Sequence, residues 1–151
     1  MSLKAQIEGD IKKAMLAKQK DELKALRAIK SMILLSETEK GAEGDLSADA
    51  EMKLLMKAVK QRKDSASIYQ EQGRDDLYSI EMAEVAVIEK YLPKQMSEEE
   101  LRAELKVIID QVGATGPQDM GKVMGMASKA LAGKADGKTI STIVKSILSG
   151  N

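Results

Sequence analysis

The side chains able to do chemistry in this chain are lysines, arginines, carboxylates, hydroxyls and three tyrosines, because histidine and cysteine are both absent. Their absence removes the commonest general base and transition-metal ligand, and with them any thiolate nucleophile or cysteine-held metal. Two groupings of the remaining residues have the right types for phosphate. The first is Gly116-Pro117 with Gly133-Lys134-Ala135-Asp136-Gly137-Lys138, at two places where helices are expected to open. The free N–H groups and positive dipole end of a helix start accept an anion. Lys134 and Lys138 flank the second of these starts, and Gly133 and Gly137 allow close backbone approach. A plainer reading of the same residues has the glycines serving turns, Asp136 capping a helix and the lysines solvated. The second grouping is Lys57, Lys60, Arg62 and Lys63, followed by Asp64, with Arg74-Asp75-Asp76 beyond a turn. Lys53, Lys57 and Lys60 share one face at helical spacing, whereas Arg62 and Lys63 point elsewhere. This set reads as a phosphate-binding ridge, as solvated lysines and ion pairs bridging two helices, or as a surface for a partner protein.

Other matches are weaker. Gly116 to Lys122 fits the first seven places of a phosphate-binding P-loop, but Val123 stands where Ser or Thr must coordinate magnesium. Gly137-Lys138-Thr139 has the right ending with Gly133 one residue too close, and Gly113-Ala114-Thr115-Gly116 has the GxxG spacing of a KH loop. All three need flanking strands, and none is expected. Asp75 and Asp76, or Glu98 to Glu100, are acids, but adjacent positions of a helix diverge, and acids beside a cap answer the helix dipole. The residues alone make a poor case for an enzyme, and they imply no cofactor and no metal.

Composition bounds the rest. With 151 residues, 43% of them hydrophobic, the chain suits one compact unit or two small bundles. Its formal net charge is zero, which argues against a general polyanion binder. The charge is unevenly spread, however: from Gly113 onward Lys122, Lys129, Lys134, Lys138 and Lys145 face only Asp119 and Asp136. With 2% aromatics, base stacking on single strands is poorly supported, while backbone and shape recognition of a folded RNA stays open. The N-terminus has no basic-then-apolar leader, and no run approaches the ~18 apolar residues of a membrane span. The expectation is a cytoplasmic protein that does not associate with membranes.

These residues must be carried by helices. Leu3, Ile7, Ile11, Ala14 and Met15 repeat at steps of three and four behind a capping Ser2. Asp21 is expected to cap a second helix, with Leu23, Leu26, Ile29, Met32 and Ile33 on one side, ending in the polar loop Lys40 to Asp45. Ser47 opens a long third helix with Met52, Leu55, Met56, Val59, Ala66 and Tyr69 inward, stopped by Gly73. A fourth, with Leu77, Ile80, Val85, Ile88 and Leu92 inward, ends at Pro93 and forms an antiparallel hairpin with the third. Ser97 and Glu100 have capping-box spacing before Leu101, Leu105, Ile108 and Val112, and Gly113 closes that helix. Gly116-Pro117 starts a sixth carrying Met120, Val123, Met124, Ala127 and Leu131; Asp136 starts a seventh with Ile140, Val144, Ile147 and Leu148. Val107-Ile108-Ile109 and Ile143-Val144 are the runs nearest to strands, yet they sit inside helical stripes. The fold expected is all-α, with a four-helix bundle over residues 1–93 and a three-helix bundle over 94–151. The ten methionines read as gap-filling core residues or, alternatively, as an adaptable partner groove.

Three segments, in this order and spacing, resemble the YqeY-like family, also called GatB/YqeY domain proteins. They are Lys60-Gln61-Arg62-Lys63-Asp64-Ser65 with Gly73-Arg74-Asp75-Asp76-Leu77; Tyr91-Leu92-Pro93-Lys94-Gln95-Met96-Ser97; and Asp119 to Gly125 with Gly133 to Lys138. The resemblance covers essentially the whole chain and implies a bacterial cytoplasmic protein of two helical bundles. The family is similar to the C-terminal tail of the B subunit of glutamyl-tRNA(Gln) amidotransferase, clearest here at Gly121-Lys122-Val123-Met124 and Gly133-Lys134-Ala135-Asp136. That resemblance implies a noncatalytic module that binds tRNA or associates with the amidotransferase. Phosphates would then be held by Lys122, Lys134 and Lys138 at the two glycine-marked helix starts, with Lys129 adding to the field. A carbon–nitrogen ligase label, with glutamine as amido-N-donor, would be inherited by name, because the catalytic core of that enzyme has no counterpart here. A protein-interaction module using the long hairpin is the alternative.

Overall fold

The computed structural model describes residues 2–39 and 46–150, so the loop expected over Lys40 to Asp45 lies outside the described residues. Among these residues there are seven α-helices and no strand: α1 (Leu3–Leu16), α2 (Lys20–Glu39), α3 (Ala48–Glu71), α4 (Asp75–Glu89), α5 (Glu98–Val112), α6 (Met120–Ala130) and α7 (Gly137–Leu148). A single 3-10 turn, Pro117–Asp119, precedes α6. The all-α expectation therefore holds, including the two ambiguous runs: Val107 to Ile109 lie within α5, and Ile143 and Val144 within α7. Without strands around them, the P-loop and KH spacings have no fitting context.

The chain divides into two compact units, Met1–Pro93 and Lys94–Asn151. In the first, Leu3 and Ile7 of α1, Leu26, Ile29 and Ile33 of α2, Leu55 and Val59 of α3, and Val85 and Ile88 of α4 form one apolar core. Met32, Met52, Met56 and Met82 pack on its edge, the gap-filling role expected of unbranched side chains. Ser2 Oγ accepts from the Ala5 N–H and Ser47 Oγ from that of Ala50, so both serine caps form.

Asp21 does not cap α2. The helix begins at Lys20, where the Leu23 N–H reaches the Gln19 carbonyl, and Asp21 and Glu22 sit in the first turn instead. There they still oppose the positive end of the helix. The shift arises because α1 closes with a tight turn in which Lys18 takes φ 58° and the Gln19 N–H donates to Ala14 O. The α3–α4 turn has the same form. Gly73 (φ 69°) donates to Gln70 O and Arg74 to Tyr69 O, a Schellman closure at a residue with no Cβ penalty.

Two residues expected inward turn out. Met15, in the last turn of α1, is 54% exposed, and Ile80 is 47% exposed. Toward Gly73 the hairpin has little besides its own two helices to pack on: between Val59 and Val85 only Ala66 is buried. Val87, absent from the expected stripe, is buried nearer the core.

In the second unit Leu101, Leu105, Ile108, Val123, Ala127, Leu131, Ile140 and Val144 form the core. Ser97 Oγ caps α5 through the Glu100 N–H and donates in turn to Glu100 Oε1. Gly113 (φ 68°) closes the helix, with Ala114 N–H donating to Ile109 O.

Candidate nucleic-acid interface

The two helix starts singled out for phosphate lie in the second unit, and neither is open in the way the sequence suggested. Gly116 opens the 3-10 turn rather than an α-helix, and α6 begins only at Met120. The Asp119 carboxylate makes no capping hydrogen bond and folds back on the residues before the turn. It accepts from the Thr115 N–H at 2.9 Å and the Thr115 hydroxyl at 3.4 Å. The Thr115 backbone donor, then that of Gly116 and the nearby Lys122 charge, hold this acid below the usual carboxylate range. At the start of α7, Asp136 is the cap: its carboxylate accepts from the Lys138 N–H at 3.4 Å and from the Thr139 hydroxyl at 3.3 Å. Asp136 thus caps the second start, whereas Asp119 lies beside the first without capping it.

Gly133 and Lys134 form a fixed turn between α6 and α7. Gly133 has φ 75°, and its carbonyl accepts from Gln95 Nε2 at 2.7 Å. The Lys134 carbonyl accepts from the Met96 N–H at 3.1 Å. The segment leading into α5 therefore pins the turn. Gln95 stood out in the sequence only as part of a matched segment, and no periodicity or spacing pointed to this task. Gly137 needs no unusual backbone, and a methyl group built on it would meet no atom within 4 Å.

What the fold leaves available is lysine side chains. Lys122 and Lys129 are exposed on α6, Lys134 on the turn, and Lys138 and Lys145 on α7. None of the five has an ion-pair partner among the described residues. In the first unit Lys12, Lys18, Lys20, Lys24 and Arg27 are likewise exposed and without an ion-pair partner among the described residues, while other cations are paired. Lys4 pairs with Glu37, Lys30 with Glu8, Lys53 with Asp49 and Lys90 with Glu22, at 3.0–3.3 Å.

The second basic patch is divided in the same way. Arg62 Nε lies 2.9 Å from Glu84 Oε2, and its Nη1 donates to the Ala58 carbonyl at 3.2 Å. Lys63 reaches Glu89 at 3.4 Å, and Arg74 makes two hydrogen bonds to Asp76, at 3.1 and 3.0 Å. These contacts join α3 to α4 and brace their turn. Lys57 and Lys60 are exposed and have no ion-pair partner among the described residues.

The outer face of α6 carries a feature that no motif expectation covered. An open groove of about 680 Å³ is lined by Val112, Gly121, Lys122, Gly125, Met126 and Lys129, among others. The recurrence of glycine at a four-residue step inside a helical stretch was its sequence signal.

Compared with known proteins, residues 4–148 match the profile of the family described as Yqey-like protein. The chain belongs to the YqeY-like family. It is 37% identical over 115 residues to a protein of Clavispora lusitaniae named "Altered inheritance of mitochondria protein 41, mitochondrial", covering 75% of this chain and 66% of that one. The protein of that name from Meyerozyma guilliermondii is 35% identical over 131 residues, 83% of this chain and 66% of its own. One from Saccharomyces cerevisiae is 31% identical over 140 residues, 90% of this chain and 71% of its own. The chain thus spans about two thirds of the length of the first of these relatives.

The cytoplasmic expectation is corrected by these matches. The relatives of this YqeY-like chain are themselves named as mitochondrial, not cytoplasmic. The inference failed because a missing apolar leader speaks only to secretion; mitochondrial targeting uses amphipathic, arginine- and serine-rich segments. Among the described residues no helix is long and apolar enough to cross a membrane.

Proposed function

We propose that this YqeY-like protein is a noncatalytic module that binds tRNA and works in association with tRNA amidation. The observation that carries this reading is the set of five exposed lysines in α6, α7 and their turn, which the fold does not pair. Cations without internal partners are available to phosphates, and releasing counterions from an RNA supplies most of the affinity of such contacts. The likeness of the segments around Lys122 and Lys134 to the amidotransferase B-subunit tail supports tRNA as the folded RNA in question. Because Asp119 takes the Thr115 and Gly116 donors and Asp136 caps α7, phosphate contacts are made by the Lys122, Lys129, Lys134 and Lys138 side chains rather than by the backbone at Gly116.

The test is a tRNA titration at several salt concentrations, with an RNA duplex as control. Binding that prefers tRNA and weakens with salt supports the reading. Lys134→Glu combined with Lys138→Glu should then lower both affinity and salt slope. If that double variant binds as the wild type does, the assignment of the turn and α7 is wrong; if the wild type fails to bind at low salt, the tRNA reading falls. One observation favours a second reading, a protein-interaction surface on the hairpin: Ile68 and Ile80 are exposed by 54% and 47% near its turn. That reading predicts salt-insensitive binding of a protein partner, lost on Ile68→Ser and Ile80→Ser together.

A further inference from the structure

We infer that the groove on the outer face of α6 is the seat of the RNA's ribose–phosphate backbone, an inference that rests on the tRNA reading above. Lys122 and Lys129 are seven residues apart, so they lie on one stripe of the helix about 10 Å apart along its axis. Both are exposed and lack an ion-pair partner among the described residues. Gly121 and Gly125 flank this stripe on one side, and the half-exposed Met126 flanks it on the other.

The glycines are unexplained by the fold. Both lie inside α6, where glycine is a poor helix former, and neither has the positive φ that would demand it. A methyl group built on either would meet nothing within 4 Å beyond its own helix backbone, so no neighbour in the chain needs the space. Glycine here strips the helix wall down to the backbone beside two exposed lysines that make no ion pair among the described residues. The occupant this suits is anionic and presses closely along the helix. The backbone of a folded RNA has that chemistry: its phosphates meet the two ammonium groups, and the apolar faces of its riboses lie on the glycine floor and on Met126. RNA helices are recognised in this manner, through shape and backbone rather than base edges.

Two double variants test the inference, each with tRNA as the probe. Gly121→Ala with Gly125→Ala should raise the melting temperature, because alanine favours the helix. The same variant should weaken tRNA binding roughly ten-fold, the effect of crowding a close contact, while leaving the salt slope unchanged. Lys122→Gln with Lys129→Gln should weaken binding and reduce the salt slope by about two. A protein that is more stable yet binds RNA less well is an outcome that simple loss of folding does not produce. If wild type and both variants bind tRNA equally, the groove is not the seat, and an acidic protein segment becomes its better occupant. If the wild type binds no tRNA at all, the functional reading fails first, and the two failures are distinct.

Discussion

Replacing Arg62 with alanine should damage the fold while leaving the proposed tRNA binding intact. The Arg62 and Glu84 side chains are 14% and 17% exposed and lie 2.9 Å apart, so most of their water has been replaced by each other and by protein. Removing the guanidinium strands a mostly buried carboxylate and also frees the Ala58 carbonyl, which accepts from Arg62 at 3.2 Å. Breaking a fully buried pair costs ~3–5 kcal/mol, and the remaining exposure here reduces that to ~2 kcal/mol. For a unit the size of Met1–Pro93 that corresponds to a fall of ~8–16 °C in melting temperature. Lys63 is the internal control: its pair with Glu89 is 51% and 34% exposed, so Lys63→Ala should cost no more than ~0.5 kcal/mol. Urea unfolding of Arg62→Ala, Glu84→Ala and the double variant closes a thermodynamic cycle, with an expected coupling of ~1–2 kcal/mol. Equal destabilisation by Arg62→Ala and Lys63→Ala would refute a buried structural role for the Arg62–Glu84 pair, as would a fall in the tRNA salt slope of Arg62→Ala like that expected of the α6 lysine variants.

The helix-closing turns predict opposite signs for two substitutions. Lys18→Gly should stabilise by ~1 kcal/mol and Gly73→Ala should destabilise by a similar ~1 kcal/mol, since both positions are left-handed, and thermal melts would read both. The hydrogen bond from the Tyr91 hydroxyl to Asp10 holds that carboxyl below its usual range and raises the phenol, chiefly through burial and then through Asp10. The depressed acid contributes stability above its unfolded pKa of ~4 that is lost in stronger acid; the raised phenol contributes stability below ~10 that is lost as pH climbs beyond it. Tyr91→Phe should flatten both limbs of a pH–stability curve and leave the plateau between them level; limbs unchanged by the substitution would count against the pair. Leu105 is fully buried in the second unit, and Leu105→Ala should cost ~2–5 kcal/mol. Hydrogen exchange would locate that loss in residues 94–150, with the first unit's core amides unaffected; equal loosening in both would show one cooperative structure.

The sequence was informative wherever a residue acts on its own neighbours. Ser2, Ser47 and Ser97 cap the helices they precede, and Gly73 and Gly113 close the ones they follow, because these tasks depend on three or four adjacent residues. Apolar spacing identified most of the core for the same reason. Asp21 was misplaced because a lysine in the left-handed conformation ended α1, a role that side-chain type does not advertise. Ile80 was misplaced because periodicity gives the face of a helix but not whether another helix covers it. At the candidate interface the residue types were visible and their pairings were not. Ion pairs bridging the hairpin were one reading of the basic set, and α4 supplies them at Arg62 and Lys63 while leaving Lys57 and Lys60 without, a division that residue types could not give. Asp119 entered only as one of two acids offsetting the lysines after Gly113, and its bond to the Thr115 N–H was not foreseen.

A formal net charge of zero suggested a protein indifferent to polyanions, and the structure explains why the total is a poor guide. At physiological ionic strength a charge is felt over roughly 8 Å. α6 and α7, at 11 and 12 residues, are each ~16–18 Å long, so a ligand lying along either senses only the charges of that neighbourhood. Within that range the cations of the first unit often meet their own carboxylates, as Lys4 meets Glu37 and Lys30 meets Glu8. The acids that follow Gly113 are instead Asp119 and Asp136, both drawn to backbone and hydroxyl donors at helix starts. Asp136 is thus taken by capping α7 and Asp119 by the Thr115 donors, and neither forms an ion pair with the lysines around it. Neutrality of the whole chain then argues against indiscriminate attachment along any nucleic acid, while the local surplus permits contact with an RNA whose shape brings its backbone to α6 and α7.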